Sequence, residues 1–533
     1  MSIKRIVLAV FVLSNLIAQA QNLSLKWRYA NGRTQNDMCR ALCTDHQGNT
    51  ISSSIFNDSL IYSTPLGIDT IVEVGGHDFV IQKNDSLGNL IWLKHIGGTG
   101  TEYVESIVTD NVGNIYIYGE FWGTIDFDPS AASFNLTQTK FENNFIAKYD
   151  SNGDLIWAKK MELFKYGNIG EMMMVNNALI LMGGYNDSID LDPSPAIDMR
   201  ISNGDYDVFV VSLDTSGSVN WARDFGSSGQ EWVKDISTDK DNNIYVCGDF
   251  SGTVDFDPGS GVYNVSSNGN RDGFILKISE SGIFKKVITF GSASKEYANE
   301  IEIGENYDIY LQARYFDSID VAPGPLEYKF GNPGNYGVCV VKLDSAGNLK
   351  WANSIDAFMS YGLQLGANED VYTTGSFNGT IDLNPGPDTL LAYSSTLTSY
   401  LLKLDSASNF KWAQTNGPYF RYNVYDIEAN GNNLKVYGSI NTFIDFDFSI
   451  DTNYYSTKGG SDYFISEYKD SPAIYTVDSV EACNQHKWID GTTYTTDQDS
   501  TWIRLLNAQG GDSIVFLNLV LDTVHAAISK NNV

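Results

Sequence analysis

A tryptophan-headed segment recurs through this chain at nearly constant spacing, and no other feature limits the fold as tightly. Its heads are Trp27, Trp92, Trp157, Trp221, Lys286, Trp351 and Trp412, giving steps of 65, 65, 64, 65, 65 and 61 residues. Lys286 belongs to the series because Gly282 and Phe290-Gly291 around it match Gly217 and Phe225-Gly226 around Trp221. A fixed period of this length means that one supersecondary unit is built seven times.

Each unit carries four β-like runs. After Trp92 they are Val104 to Thr109, Ile115 to Phe121, Phe145 to Tyr149 and Leu155 to Lys159. An Asp-x-x-Gly-Asn turn joins the first two runs (Asp110 to Asn114, Asp45 to Asn49, and the variant Asp239 to Asn243), and Asp150 to Asp154 joins the last two. Glycine or asparagine supplies the positive φ of a short bulged hairpin, and the aspartate caps it. A longer connection containing Gly-Thr-Ile-Asp-Phe-Asp-Pro links the second run to the third.

The expected fold is all-β, a seven-bladed β-propeller of four-stranded antiparallel blades. Leu25 to Ala30 is a fourth-type strand with no third before it, and Tyr463 to Tyr468 is a third-type strand with no fourth after it. The N-terminal strand is therefore expected to complete the last blade, so that no central edge stays unpaired. The propeller is assigned to 21–470 and a small β-rich C-terminal module to 471–533.

These repeats resemble the secreted bacterial β-propeller repeat (SBBP) family. The resemblance rests on Asp-x-x-Gly-Asn-Ile-Tyr, on Gly-Thr-Val-Asp-Phe-Asp-Pro-Gly (Gly252 to Gly259) and on Phe-Ile-x-Lys-x-Asp-x-x-Gly-x-Leu-x-Trp, and it covers roughly residues 25–468. It implies an extracellular or surface propeller of Gram-negative bacteria that use a type IX secretion route, usually without a known enzymatic activity. The last segment is similar to short β modules appended to such proteins, which begin Ala-Cys (here Ala482-Cys483) and carry a second cysteine before Asp-Ser. Gly511 stands at that second position, which leaves Cys483 without the partner that the resemblance would give it. The Tyr-Pro-Asn-Pro sorting module usual in such proteins is not found at the end, so truncation and another exit route both stay open.

The N-terminus points to export independently. Lys4 and Arg5 precede the apolar run Ile6 to Leu13, and Ala18-Gln19-Ala20 offers small residues for cleavage, so 1–20 reads as a signal peptide. No later stretch approaches the ~20 apolar residues of a membrane span, and a secreted or outer-surface monomer is expected. The formal net charge of −30 repels phosphates, which argues against nucleic acid as a partner. Five cysteines are too few for a disulfide scaffold; Cys39 and Cys43 could pair only across a bent backbone, and Cys247 and Cys339 fall at apolar repeat positions.

If the two glycine-containing turns lie on one face, the long connections share the other. That face holds Asp126/Asp128, Asp190/Asp192, Asp255/Asp257 and Asp445/Asp447, with partial copies at Asp320 and Asp382/Asn384. It also holds one acid after each glycine-rich crossover, namely Asp37, Glu102, Glu231 and Glu296. Carboxylates two apart on an extended segment point the same way, while Phe127 or Phe256 between them turns into the blade. Such pairs are candidate ligands for calcium, which needs six to eight oxygens. Capping of the turn before Pro129 or Pro258 is the favoured role, because a residue present in every blade usually maintains the blade. Asp150-Ser151-Asn152-Gly153-Asp154 is a hairpin turn and not a calcium loop, since its copies lose the alternating oxygens.

Nothing in the sequence forms a catalytic set. The five histidines recur in no pattern, and no His-Glu-x-x-His or Gly-x-Ser-x-Gly motif is present. An active site should be a single departure from the repeat. The irregular copies are unit three, with Met172-Met173-Met174-Val175-Asn176-Asn177 at its turn, and unit five, with Lys286 for tryptophan and Ala322 for the second aspartate. Trp122, Trp232, Tyr419 and Tyr422 near loops are candidates for stacking on sugar rings. The expected function is a binding or scaffold protein that recognises an extracellular glycan or protein through loops on one face, without catalysis. The alternative is a carbohydrate-active hydrolase or lyase using acids near the channel.

Overall fold

The computed structural model describes residues 23–522, apart from 33–34, 65–66, 140–141, 164–166, 325, 416–421, 448–452, 471–473 and 507–511. The expected signal peptide lies outside the described residues. Two compact units are present, one comprising Trp27–Phe446 with Asn453–Glu467, the other the remainder. No helix among the described residues is long and apolar enough to cross a membrane.

The first unit is a seven-bladed β-propeller. Blade one is Met38–Thr44, Thr50–Phe56, Asp78–Asn84 and Leu90–Gly98; blade two is Glu102–Thr109, Ile115–Phe121, Glu142–Tyr149 and Leu155–Leu163. Blades three to six open with the inner strands Gly167–Val175, Glu231–Thr238, Lys295–Ile303 and Met359–Leu365. In blade seven the order is Tyr422–Asn430, Asn433–Ile440, Asp462–Asp470 and then Leu23–Asn31, so the first strand of the chain completes the last blade. Each inner strand contacts the next, and that of blade seven contacts that of blade one. The Thr44 amide donates to Glu428 Oε1 at 2.9 Å across this seam, and Trp27 Nε1 donates to Glu467 Oε2 at 3.0 Å.

The observed strands overrun the apolar runs of the sequence. Glu142 pairs with Leu163 beyond the predicted third and fourth runs, because main-chain pairing needs no apolar side chain to continue. Turn chemistry behaves as read. Asp110 Oδ1 accepts the amides of Val112 and Asn114 at 3.1 and 2.8 Å, and Gly113 takes φ 87°. Asp150 accepts from Asn152 and Asp154 in the same way. The irregular turn of unit three is a two-residue hairpin with Asn176 and Asn177 at φ 47° and 63°, the mirror-image turn that matches strand twist.

Packing explains the tryptophan. Trp92, Trp157, Trp221 and Trp351 donate Nε1 to a carbonyl in the third-to-fourth turn of the following blade: Ser151, Thr215, Glu280 and Ser406. Lys286 donates Nζ to Ala346 O, one residue further along the equivalent turn, so this substitution keeps a latch between the blades. Apolar side chains fill the gaps between blades. Ile51 and Phe79 of blade one meet Ile117 and Phe145 of blade two in one fully buried cluster, each worth roughly 1.5–3 kcal/mol over exposure. Cys247 and Cys339 are buried free thiols, as expected, and Cys39 and Cys43 are also unpaired. The Cys483 side chain lies outside the described residues.

The second unit contains a three-stranded sheet in which Ile474–Cys483 lies parallel to Asp512–Asp522, with Gln498–Leu506 antiparallel to the latter. Trp488, Leu517 and Leu519 form its small core, and Trp488 Nε1 donates to Asp478 at 2.8 Å.

Candidate ligand-binding site

The predicted aspartates sit in a small hairpin within each long connection, an element the sequence did not reveal. In blade two it pairs Thr124–Asp126 with Asn135–Thr137 and also adds to the outer strand of blade one, Ile125 facing Gly98. A Cβ on Gly98 would lie 2.1 Å from Thr124 O, so this approach requires glycine. Asp126 Oδ1 accepts the amides of Asp128 and Phe134 at 3.1 and 2.8 Å, and Asp128 Oδ1 accepts that of Ser130 at 2.9 Å. Asp190 and Asp192 do the same for Asp192, Asp198 and Ser194. Asp255 and Asp257 serve Asp257, Tyr263 and Gly259. Asp445 accepts the Asn453 amide at 2.8 Å. Asp447 stands two residues further on and is half-buried, at the last described position before 448–452. Asp320 keeps the cap even where Ala322 replaces the second aspartate. Phe127, Phe256 and Phe446 between the pairs are buried.

The capping role favoured from the sequence is the one these hydrogen bonds describe. For the calcium alternative at Asp126, Asp128, Asp190, Asp192, Asp255, Asp257, Asp445 and Asp447, no group of three acids, histidines or cysteines that could hold a metal ion is found among the described residues. The physical reason is their distribution: each connection holds a single pair, two carboxylates fall short of the six to eight oxygens calcium takes, and the hairpin amides already draw on the oxygens of the first three pairs.

The crossover acids have a different surrounding. Asp37, Glu102, Glu231 and Glu296 are fully buried at the starts of inner strands. Their amides donate to Ser461, His77, Tyr206 and Arg271, each the residue just before the third strand of the preceding blade. Those third strands open with Asp462, Asp78, Asp207 and Asp272, also buried. Each of these four blade junctions therefore encloses two carboxyls. Burial, with the neighbouring Asp78 adding to it, pushes Glu102 up to about 8. Burial likewise raises Glu231 and Glu296 to about 7, and Asp207 to about 6. Both oxygens of Glu102 and one each of Asp78, Asp207, Asp272, Glu296 and Asp462 have no hydrogen-bond partner. For Glu102 with Asp78, Glu231 with Asp207 and Glu296 with Asp272, repulsion by the neighbouring acid adds to burial, which favours a proton held within each of these three pairs. His95 is a satisfied residue here, its Nε2 at 2.6 Å from Asp78 Oδ2.

The junction between blades five and six is built differently. Strand register puts Gly337 opposite Tyr315, as Asp272 is opposite Phe250, with Tyr336 one residue earlier opposite Phe316, and Phe358 at the start of the inner strand of blade six. Phe358 stands where the four acidic junctions carry Asp37, Glu102, Glu231 or Glu296, and the rings of Phe358 and Tyr336 come together. They meet edge to face at 5.5 Å, and Phe316 meets Tyr336 at 5.1 Å. Arg314 lies beneath them, its guanidinium 3.8 Å from the Tyr336 ring centroid, 5.3 Å from Phe358 and 5.9 Å from its cross-strand neighbour Tyr297. The same register position is Glu120 in blade two and Asp249 in blade four. Burial lowers the Arg314 pKa against opposing contributions from Tyr336, Tyr297 and Tyr361, and its Nε is buried without a partner. A cavity of about 520 Å³ opens over the pair, lined also by Asn332, Asn335, Asp356 and Asn378. Asn332 Nδ2 donates to Tyr336 O at 2.7 Å and the Gly334 amide to Asp317 at 3.1 Å, which fixes the loop that carries Tyr336.

Tyr336, Phe358 and Arg314 were missed by sequence reasoning. Stacking the copies column by column would have flagged Phe358, which stands where Asp37, Glu102, Glu231 and Glu296 carry acids, and Arg314, which stands where blades two and four carry Glu120 and Asp249; Tyr336 follows no such column. Of the aromatic residues the sequence did single out, Trp122 and Trp232 are half-buried rather than exposed. Trp122 packs on Tyr103 at 5.9 Å and Trp232 on Tyr206 at 4.4 Å, because blade packing claims their faces. Tyr419 and the Tyr422 side chain lie outside the described residues.

A second group of acids lines the middle of the ring. All seven inner strands carry a bulge at mid-length, for example between Val233 and Asp235 and between Val424 and Asp426. Asp235 accepts the amides of Ile236 and of Ile301 in the next blade at 2.6 and 2.7 Å, and Asp426 accepts that of Ile427 at 2.7 Å. Burial raises Glu171 to about 8, Asp235 to about 7 and Asp426 to about 8, with mutual repulsion adding to it for Glu171 and Asp426.

Fold and site together define a seven-bladed propeller with an aromatic cluster at the junction of blades five and six. No family model matches the chain. It is 23% identical over 234 residues to an uncharacterized WD repeat-containing protein of Acanthamoeba polyphaga mimivirus, covering 38% of this chain and 17% of that protein. It is 22% identical over 166 residues to the regulatory protein FlaEY of Caulobacter vibrioides, covering 30% and 17%. The chain thus spans about a sixth of the length of the curated relatives it matches. Among solved structures it is similar to the Dos1 propeller, with a TM-score of 0.38 at 9% identity, covering 84% of this chain and 95% of that one. It is also similar to an inactive virginiamycin B lyase from Staphylococcus aureus, with a TM-score of 0.35 at 11% identity, covering 82% and 98%.

Proposed function

We propose that this protein is a secreted or cell-surface binding propeller that takes a glycan on its long-connection face, at the junction of blades five and six. One observation carries the reading: at this junction the rings of Tyr336 and Phe358 meet under a cavity that Asn332, Asn335 and Asn378 also line. The C–H face of a sugar ring packs on the π face of tyrosine or phenylalanine, and the carboxamides of Asn332, Asn335 and Asn378 offer both donors and acceptors to hydroxyls. Phe358 is 43% exposed, an unusual state for a large apolar side chain opening an inner strand. Export is supported by the signal-like N-terminus and by the resemblance of the repeats to secreted propellers.

The test is a glycan array probed with the mature chain, followed by titration of any hit against Tyr336→Ala and Phe358→Ala. Binding that both variants lose, with no product released, supports the reading. Cleavage of the bound saccharide would replace it with an enzyme working through the channel acids.

A further inference from the structure

The chemistry around Arg314 points to a more specific ligand. This protein carries 65 acids against 35 lysines and arginines, so a cation drawn out of water ordinarily finds a carboxylate. Arg271 pairs with Asp249 at 2.7 Å, and Arg200 with Asp224 at 2.9 Å. Among the described residues Arg314 has no carboxylate partner. Aromatic rings surround it, and burial works against its charge. An arginine held in this way is incomplete. It has lost part of its hydration, its Nε–H has no acceptor, and the rings satisfy only the face of the guanidinium, not its edge.

Register makes the point sharper. At the position of Arg314 blade two has Glu120 and blade four has Asp249, while Phe358 and Gly337 stand where the junction of blades four and five carries Glu296 and Asp272. The carboxylates that would neutralise a cation here are therefore gone, and a cation is present. Packing alone would not require it.

We infer that the junction of blades five and six is an anion-selective saccharide site, in which Arg314 receives the carboxylate or sulfate of an acidic sugar while Tyr336 and Phe358 stack on its ring. This inference rests on the binding function proposed above. It makes Arg314 the specificity determinant and the aromatic pair the source of ring affinity. The strongly acidic surface elsewhere would confine a charged saccharide to this one place.

The test uses matched ligands on the whole protein. Trigalacturonate and its fully methyl-esterified form share a ring and differ in charge, and a sulfated galactan trisaccharide separates carboxylate from sulfate as the source of the anion. The acid form should bind at least ~10-fold more tightly than the ester, as expected of a charge-assisted hydrogen bond in a half-buried site. Arg314→Gln should erase that preference and leave weak ester binding, with Arg314→Lys recovering part of it. Thermal melting of each variant verifies the fold. Equal binding of acid and ester, unaffected by Arg314→Gln but lost in Tyr336→Ala, would overturn the anion inference and leave the binding site standing. A preference for the sulfated sugar alone would keep Arg314 in its role and name sulfate as its anion. Absence of binding to all three, alongside hits to other glycans on the array, would overturn the inference; absence of any glycan binding would overturn both readings.

Discussion

Two neighbouring junctions of this ring are built on the same backbone and do opposite things. Between blades four and five, Asp272 and Glu296 face each other out of contact with water. Between blades five and six, the same two positions hold Gly337 and Phe358, and Tyr336 beside the glycine joins Phe358 beneath an open cavity. The first junction is sealed and relies on a bound proton to tolerate its acids. In the second, that electrostatic liability has been exchanged for rings and an unpaired arginine, and the space has been left open. The repeat supplies the geometry, and a few substitutions at one seam convert a structural joint into a surface that can hold something.

The most disruptive way to break this contrast is to replace the rings with acids. The double substitution Tyr336→Asp with Phe358→Glu should abolish glycan binding, a loss of ~30-fold or more for removing a stacking hot spot, while circular dichroism still reports a folded β protein. Smaller, but specific to the sealed junctions, is a dependence of stability on pH. Glu102 in the folded chain titrates at about 8, well above an ordinary glutamate, because it is buried beside Asp78. The folded state therefore holds a proton that the unfolded chain releases above pH ~4.3. Its stabilising contribution is complete below that pH and is lost as pH rises towards 8. Melting temperature should fall between pH 5 and pH 8.5, and Glu102→Gln should raise it by ~2 °C at pH 8.5 with little change at pH 5. A melting curve for Glu102→Gln that tracks the wild type at both pH values would rule out the proton-sharing account.

Smaller again is the hairpin cap. Asp255→Ala should cost about 1–2 kcal/mol and speed hydrogen exchange at the Tyr263 amide, whose acceptor is removed. Millimolar calcium should leave the wild-type melting temperature unchanged, since the cap already uses these oxygens for backbone amides; a clear upward shift would restore the metal reading. The least effect is expected at Lys286. Lys286→Trp should change neither stability nor binding measurably, because lysine already donates to a carbonyl of the same turn that the tryptophan latches use.

That last expectation shows where the sequence was informative. Ring, blade number and N-terminal closure were legible because a 65-residue period, glycine turns and unmatched end strands are local signals repeated seven times. The candidate site was not, because Tyr336 and Phe358 belong to different blades and meet only through strand register. The departures that drew attention in unit five, Lys286 and Ala322, are compensated, one by an equivalent donor and the other by the cap that Asp320 keeps. The bulges of the inner strands also left no mark, since any residue can occupy them.

The seam in blade seven has a mechanical consequence. Ser24 Oγ lies 3.4 Å from Lys469 O, and Trp27 bonds to Glu467, so the first strand and Asp462–Asp470 run in opposite directions with residues 23 and 470 near the same end. A pulling force between those two residues would load the ladder one rung at a time, as in opening a zip, rather than shearing all rungs together. The ring should therefore yield first at its own closure under low force, while the blades behind it, each a continuous hairpin chain, stay intact.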